Sequence, residues 1–275
     1  MTHNTKPMKL IIANWKMNPD SLKEAESIFD SSKKEAKIAK NIELVVCPPF
    51  VYLSNLKQVK NLKLGAQNCF WENQGAYTGE VSPLMLKNLG VEYVIIGHSE
   101  RRNYMRESDE MVSKKIKIVF ENKLIPVLCV GETMEQRARG IEKNVVKEQL
   151  QRDLVCLTRN SCLAGRQAKL KTKNFIVAYE PVWAIGTGNY CQPEEAAEMI
   201  RFIKEILILN LGQPTGGGNI KVLYGGSVSS ENIANYLKYS EIDGALVGGA
   251  SIKINEFKKL INEVSKAAET ESAQK

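Results

Sequence analysis

Histidine is nearly missing from this chain of 275 residues: there are two, His3 and His98, and His3 stands in a polar leader. A metal site has little to build on, so no metal and no other cofactor is expected. The six cysteines, Cys47, Cys69, Cys129, Cys156, Cys162 and Cys191, are scattered and contain no C-x-x-C pair. Cys47 and Cys129 fall in apolar runs, where a free thiol behaves as a small hydrophobe. No run of about 18 apolar residues occurs, so no membrane span is expected. Residues 1–9 are polar and lack the apolar core of an export signal, which makes a reducing cytoplasm the expected location. Arg/Lys runs interleaved with aromatics are missing too, so nucleic acid is not an expected partner. The formal charge of +7 then reads as a solvated basic surface, with a basic cluster beside a small anion as the other reading.

What is present is an ordinary globular composition, 43% hydrophobic and 25% charged. Short β-rich apolar runs alternate with segments of helical period from one end to the other. Residues 10–13, 42–47, 62–67, 93–96, 125–130, 175–178, 220–224 and 245–247 read as strands. Ser21, Ser82 and Ser108 stand where helix N-caps belong, and Pro83 takes the first helical position behind Ser82. A short amphipathic helix is expected over residues 50–59, and the tail from 267 is expected to fray. Strand–helix units at a spacing of roughly 30 residues have the βαβ period. Eight of them can close as a parallel barrel with outer helices, an α/β fold in one domain spanning 1–275 with polar tails at 1–8 and 267–275. An open doubly wound sheet would usually carry Gly-x-Gly-x-x-Gly after its first strand. Here that turn is Asn14-Trp15-Lys16, which favours the barrel.

Parallel barrels carry their chemistry at the carboxyl ends of the strands. The sixth strand runs into Glu180 and stops at Pro181, because proline cannot donate to a sheet ladder. Behind it, apolar Val182, Trp183, Ala184 and Ile185 lead to Gly186, Thr187 and Gly188. That pattern suits a hinged cover over a catalytic carboxylate. Taken alone it suits a structural ion pair beside a buried tryptophan about equally well. The other strand ends offer Asn14 and Lys16, His98, and the turns Gly225-Gly226-Ser227 and Gly248-Gly249. Each is ordinary by itself: a surface lysine, a satisfied histidine, a glycine loop. Together they supply a base, a neutral donor, a cation and a cradle of backbone N–H groups for phosphate. Residues 68–81 form a long loop with three aromatics, to be covered by a protein partner or by its own barrel.

These residues carry a resemblance. Asn14-Trp15-Lys16, Gln67-Asn68, Gly75-Ala76-Tyr77-Thr78-Gly79-Glu80, Gly97-His98-Ser99-Glu100-Arg101-Arg102 and Cys129-Val130-Gly131-Glu132 belong to it. So do residues 178–188, 224–228 and 244–251. Over nearly its whole length the chain resembles the triosephosphate isomerase family, and the lid and His-Ser-Glu-Arg-Arg motifs are the most specific part.

The resemblance implies a TIM (β/α)8 barrel that interconverts dihydroxyacetone phosphate and D-glyceraldehyde 3-phosphate through an enediolate. It implies Glu180 as the base that moves a carbon-bound proton; a carboxylate in a dry pocket is a stronger base than one in water. It implies His98 as a neutral imidazole polarising the carbonyl, with a helix N-terminus behind it disfavouring the cation. Lys16 would balance the anionic charge, oriented by Asn14, with Trp15 beside them in the substrate site. Gly186, Ser227, Gly248 and Gly249 would hold the phosphate, and Ser99, Glu100 and Lys115 would support the site. By the same resemblance the chain is expected to form a homodimer through the loop 70–81. Thr78 would plug into the partner, and Glu80 would pair with Arg101 across the interface. Two departures stand out: the lid leaves through Asn189-Tyr190-Cys191, where the family more often has a basic then a small residue, and residues 158–173 look like an addition. The rivals are another phosphate-binding barrel enzyme, such as an epimerase or a Schiff-base aldolase using Lys16, and a non-catalytic barrel.

Overall fold

A computed structural model describes residues 8–157, 175–186, 189–211 and 220–273. The added segment 158–173, the glycine-rich connector 213–219, most of the leader and the lid residues Thr187 and Gly188 lie outside the described residues. The strands are β1 (Lys9–Asn14), β2 (Ile42–Cys47), β3 (Leu62–Ala66), β4 (Val91–Ile96), β5 (Ile125–Val130), β6 (Ile176–Tyr179), β7 (Lys221–Tyr224) and β8 (Gly244–Val247). They form one closed parallel barrel in chain order. β1 closes it, with Ile12 facing Val45 of β2 on one side and Leu246 of β8 on the other.

Each strand buries both faces, which is why the strands read as continuous apolar runs rather than alternating ones. Leu10, Ile12, Val45, Cys47, Tyr93, Ile95, Val127, Cys129, Ile176, Ala178, Leu223 and Leu246 pack with one another as the inner cluster. The alternate residues Ile11, Ala13, Leu44, Val46, Val94, Ile96 and Val177 join the outer cluster. That cluster meets the helices α1 (Leu22–Ile38), α2 (Phe50–Leu53), α3 (Pro83–Asn88), α4 (Ser99–Met105) and α5 (Asp109–Glu121). The ring continues with α6 (Met134–Ala138), α7 (Glu142–Asp153), α8 (Pro193–Leu211), α9 (Ile233–Leu237) and α10 (Ile254–Ala273). Period-2 alternation therefore also decides which tip residues look into the mouth: Asn14 continues the inward register of Leu10 and Ile12, and Glu180 that of Ile176 and Ala178.

The expected caps are in place. Ser21 accepts from the Glu24 amide at 3.3 Å, Ser82 from Met85 at 3.1 Å and Ser108 from Met111 at 3.3 Å. Three expectations need correction. The helix expected over 50–59 ends at Leu53, because Val59 turns back into an antiparallel bridge with Leu62. The strand–helix period implies one helix after β5, but that segment holds two; a Thr133–Gln136 capping box opens α6, and Gly140 at φ 67° follows it. The tail expected to fray from 267 instead continues α10 to Ala273, since Ala268 is buried and Ala267 packs against the outer cluster.

Candidate active site

A cavity of about 1180 Å³ opens at the carboxyl ends of the strands. Asn14, Lys16, His98, Glu180, Gly186, Ser227, Gly248 and Gly249 all line it. Of the binding residues read from the sequence, Trp15 is the exception. One step out of register from Asn14, its side chain turns outward into the outer cluster and is 1% exposed. Trp15 supports the site from behind and does not line it.

Glu180 is buried at 1% exposure and its two oxygens differ. Oε2 accepts from the Ser99 amide at 2.9 Å. Oε1 lies 3.2 Å from His98 Nε2 and has no hydrogen-bond partner among the described residues. A buried carboxylate oxygen left without a donor is costly, and this one belongs to a residue that lines the cavity. The main chain under Glu180 is fixed by its amide, which donates to Val130 O at 2.8 Å. Gly131 makes that approach possible: a Cβ there would stand 1.7 Å from the Glu180 carbonyl oxygen.

His98 caps α4, and its Nδ1 accepts from the Glu100 amide at 3.2 Å. A ring nitrogen that accepts carries no proton, so in a neutral imidazole the proton sits on Nε2, the atom beside Glu180. Lys16 takes a left-handed backbone conformation, φ 55°, which a non-glycine residue adopts only when its surroundings enforce it. Asn14 Oδ1 accepts from the Lys16 amide at 3.0 Å, and Gln67 Nε2 donates to Lys16 O at 2.8 Å and to Cys47 O at 2.9 Å. The ammonium of Lys16 is ion-paired with Glu100, so one carboxylate ties the cation to the helix that orients the imidazole.

The opposite rim is main chain. Gly248 leaves room for Lys16, whose Cε would stand 3.2 Å from an added Cβ. Ser227 Oγ donates to Ala184 O at 2.6 Å, joining the turn after β7 to the start of the lid. Asn232 braces that turn by accepting from the Ser229 amide at 2.9 Å and donating to Ser227 O at 3.1 Å. Glu256 of α10 accepts from the Ser230 amide at 2.7 Å.

Several working residues carried no role in the sequence. Glu132, wholly buried, accepts from Trp183 Nε1 at 2.7 Å and from the Tyr179 hydroxyl at 3.1 Å. It thereby anchors the lid's tryptophan. Burial raises its carboxyl above the usual range, against the lowering effect of Trp183. Its position at the tip of β5, matching Glu180 at the tip of β6, was the available signal. Gln67, Asn232 and Glu256 act across long sequence separations that a single sequence does not display. At the lid's exit, burial pushes the Cys191 thiol up to about 12, so this departure from the family pattern places an inert thiol there.

A closed parallel barrel whose mouth gathers a buried carboxylate, an imidazole, a lysine and glycine turns is the arrangement of a (β/α)8-barrel enzyme. A profile of the triosephosphate isomerase family matches residues 9–264. The chain is 46% identical over 252 residues to a triosephosphate isomerase of Dictyoglomus turgidum, covering 90% of this chain and 96% of that one. It is 42% identical to the enzyme of Clostridium tetani over 256 residues, 92% of this chain and 95% of the relative. To that of Dictyoglomus thermophilum it is 45% identical over 256 residues, 92% and 98% of the two chains. The chain belongs to the triosephosphate isomerase family.

Proposed function

We propose that Glu180, His98, Lys16 and Asn14 carry the reaction of this family, the interconversion of dihydroxyacetone phosphate and D-glyceraldehyde 3-phosphate. Glu180 takes the proton from the carbon next to the carbonyl and returns it to the neighbouring carbon. His98 donates through Nε2 to the carbonyl oxygen as negative charge develops there. Lys16, released from Glu100 by the incoming anion, balances the enediolate and the phosphate, and Asn14 fixes its backbone. Gly186, Ser227, Gly248 and Gly249 hold the phosphate. Closure of the lid over it excludes water and protects the enediolate from losing phosphate. The observation that carries this reading is buried Glu180 at the cavity, its Oε1 without a hydrogen-bond partner among the described residues and 3.2 Å from His98 Nε2. A coupled assay on glyceraldehyde 3-phosphate, with chelator present and no cofactor added, tests it. Full turnover is expected, and an inactive, folded protein would contradict it.

The same reading makes the chain a cytoplasmic homodimer. Thr78 and Glu80 are exposed on the loop after β3, and Arg101 lies partly exposed at the start of α4, 3.4 Å from Glu107. Met17, Met85, Tyr104 and Met105 are exposed at 95%, 54%, 77% and 62%. Large apolar side chains left in water suit an interface between copies. Phe70 stacks on Trp71 at 4.1 Å and meets Tyr77 as a tilted pair at 4.5 Å, which stiffens the loop for insertion. Sedimentation together with activity is the check: a fully active monomer would refute the dimer. A Schiff-base aldolase has a weaker claim, since Lys16 is ion-paired with Glu100, and borohydride trapping with substrate would expose it.

A further inference from the structure

Arg102 is partly buried outside the barrel, is not among the residues lining the cavity, and has no part in the reaction as described. Its guanidinium uses donors in four directions. Nε donates to Gly97 O at 2.7 Å, and Nη1 to Asp109 Oδ1 at 2.7 Å. Nη2 donates to Asp153 Oδ2 at 2.6 Å and to Cys129 O at 3.3 Å. The carbonyls belong to the ends of β4 and β5, and the carboxylates to α5 and α7. Both strand ends matter for the chemistry. Gly97 precedes His98. Cys129 precedes Val130, whose carbonyl receives the Glu180 amide.

The fit around Gly97 is close. Gly97 has φ 71°, and a Cβ there would stand 2.7 Å from Arg102 Nη2. The turn that swings His98 over the mouth is therefore shaped around the guanidinium. Asp153 is 0% exposed; its Oδ2 accepts from Arg102, and its Oδ1 has no hydrogen-bond partner among the described residues. Asp109 holds the other side of the fork. Two carboxylates from different helices pin a planar cation that can address both strand ends at once, which an ammonium cannot do.

We propose that Arg102, anchored by Asp109 and Asp153, is a positioning residue: by gripping the Gly97 carbonyl it sets where the His98 imidazole stands relative to Glu180. It touches no substrate and acts only through His98 and the β5 tip. The proposal rests on His98 being the donor to the substrate carbonyl. A lysine at 102 keeps the charge and loses the fork, so the turn at Gly97 relaxes and His98 Nε2 shifts from its place beside Glu180 Oε1. A misplacement of about 1 Å at a reacting group costs up to roughly 100-fold.

Arg102→Lys is the test, read in two ways on protein shown to be folded by circular dichroism well below its melting temperature. The chain contains two histidines, so a 15N-histidine NMR spectrum resolves the buried ring of His98 from the leader's His3. The expected result is a fall in kcat of roughly 10-fold or more, together with a shift or broadening of the His98 ring nitrogen signals. Unchanged kcat, or unchanged His98 signals whatever the kcat, overturns the proposal and leaves Arg102 a structural clamp. If Arg102→Lys does not fold, Asp109→Asn loosens one anchor at the surface and must produce the same pair of changes in milder form; if it alters neither readout, the proposal fails. His98→Gln separates this from the parent reading. Full turnover in that variant sinks the assignment of His98, whereas a dead His98→Gln beside an unperturbed Arg102→Lys sinks the positioning claim alone.

Discussion

The two halves of the barrel mouth are built in opposite ways. On the half formed by β1, β4 and β6, side chains face the cavity and main chain holds them. Glu180 leans on the Ser99 amide, His98 on the Glu100 amide, and Lys16 is clamped through its own backbone. On the half formed by β7 and β8, main chain faces the cavity and side chains hold it. Asn232 and Glu256 brace residues 227–230, and Ser251 Oγ donates to Gly248 O at 2.7 Å. The contrast teaches where a substitution is fatal. On the first half, with the roles proposed above, it removes a reacting group. On the second it loosens a cradle whose donors any residue can supply, so binding suffers before chemistry.

The contrast can be broken by experiment. The largest effect belongs to His98→Ala, which removes the donor aimed at developing charge and should lower kcat roughly 100- to 1000-fold. A smaller loss than that of any β7–β8 variant would reverse the proposed division. Glu180→Asp withdraws the base by about 1 Å and should cost on the order of 100-fold in kcat with little change in KM. Steady-state kinetics that put the loss in KM would place Glu180 among the binding groups. Asn232→Ala, on the other half, should raise KM about 5-fold, the worth of about one hydrogen bond, and leave kcat nearly intact. A collapse of kcat there would show that the cradle also sets the chemistry.

The smallest effect is on stability. Burial raises the Glu132 carboxyl above its ordinary value. The folded chain then keeps a proton that the unfolded chain releases. The stability linked to that proton is full at low pH and is lost as pH rises through the raised value. Glu132→Gln should flatten this decline in urea midpoints measured from about pH 4 to pH 8. An unchanged slope would remove Glu132 as its source.

The same asymmetry governs what the sequence displays. Glu180 before Pro181, His98 after an apolar strand and Lys16 after another are visible because chemistry on that half requires particular residue types. Serine caps were equally legible, since capping is local: Ser21, Ser82 and Ser108 each bond three residues on. The outward turn of Trp15 follows from strand alternation, but only once the register at Asn14 is known. The early end of α2 depends on the Val59–Leu62 bridge, which competes with helical period in a way that apolar spacing does not reveal. Gln67 reaches Lys16 across 51 positions and Tyr179 reaches Glu132 across 47. Such pairings are set by barrel closure, and no local pattern carries them.

Everything rests on Glu180 ferrying a proton between adjacent carbons, and isomerisation in deuterium oxide reads that directly. The carboxylic acid formed midway exchanges with solvent, so NMR of early product should find deuterium on the carbon that receives the proton. Glu180→Asp should slow this incorporation in step with kcat. Product free of deuterium would mean hydrogen passes directly between the carbons, and incorporation indifferent to Glu180→Asp would mean that another group moves it; either result contradicts the account.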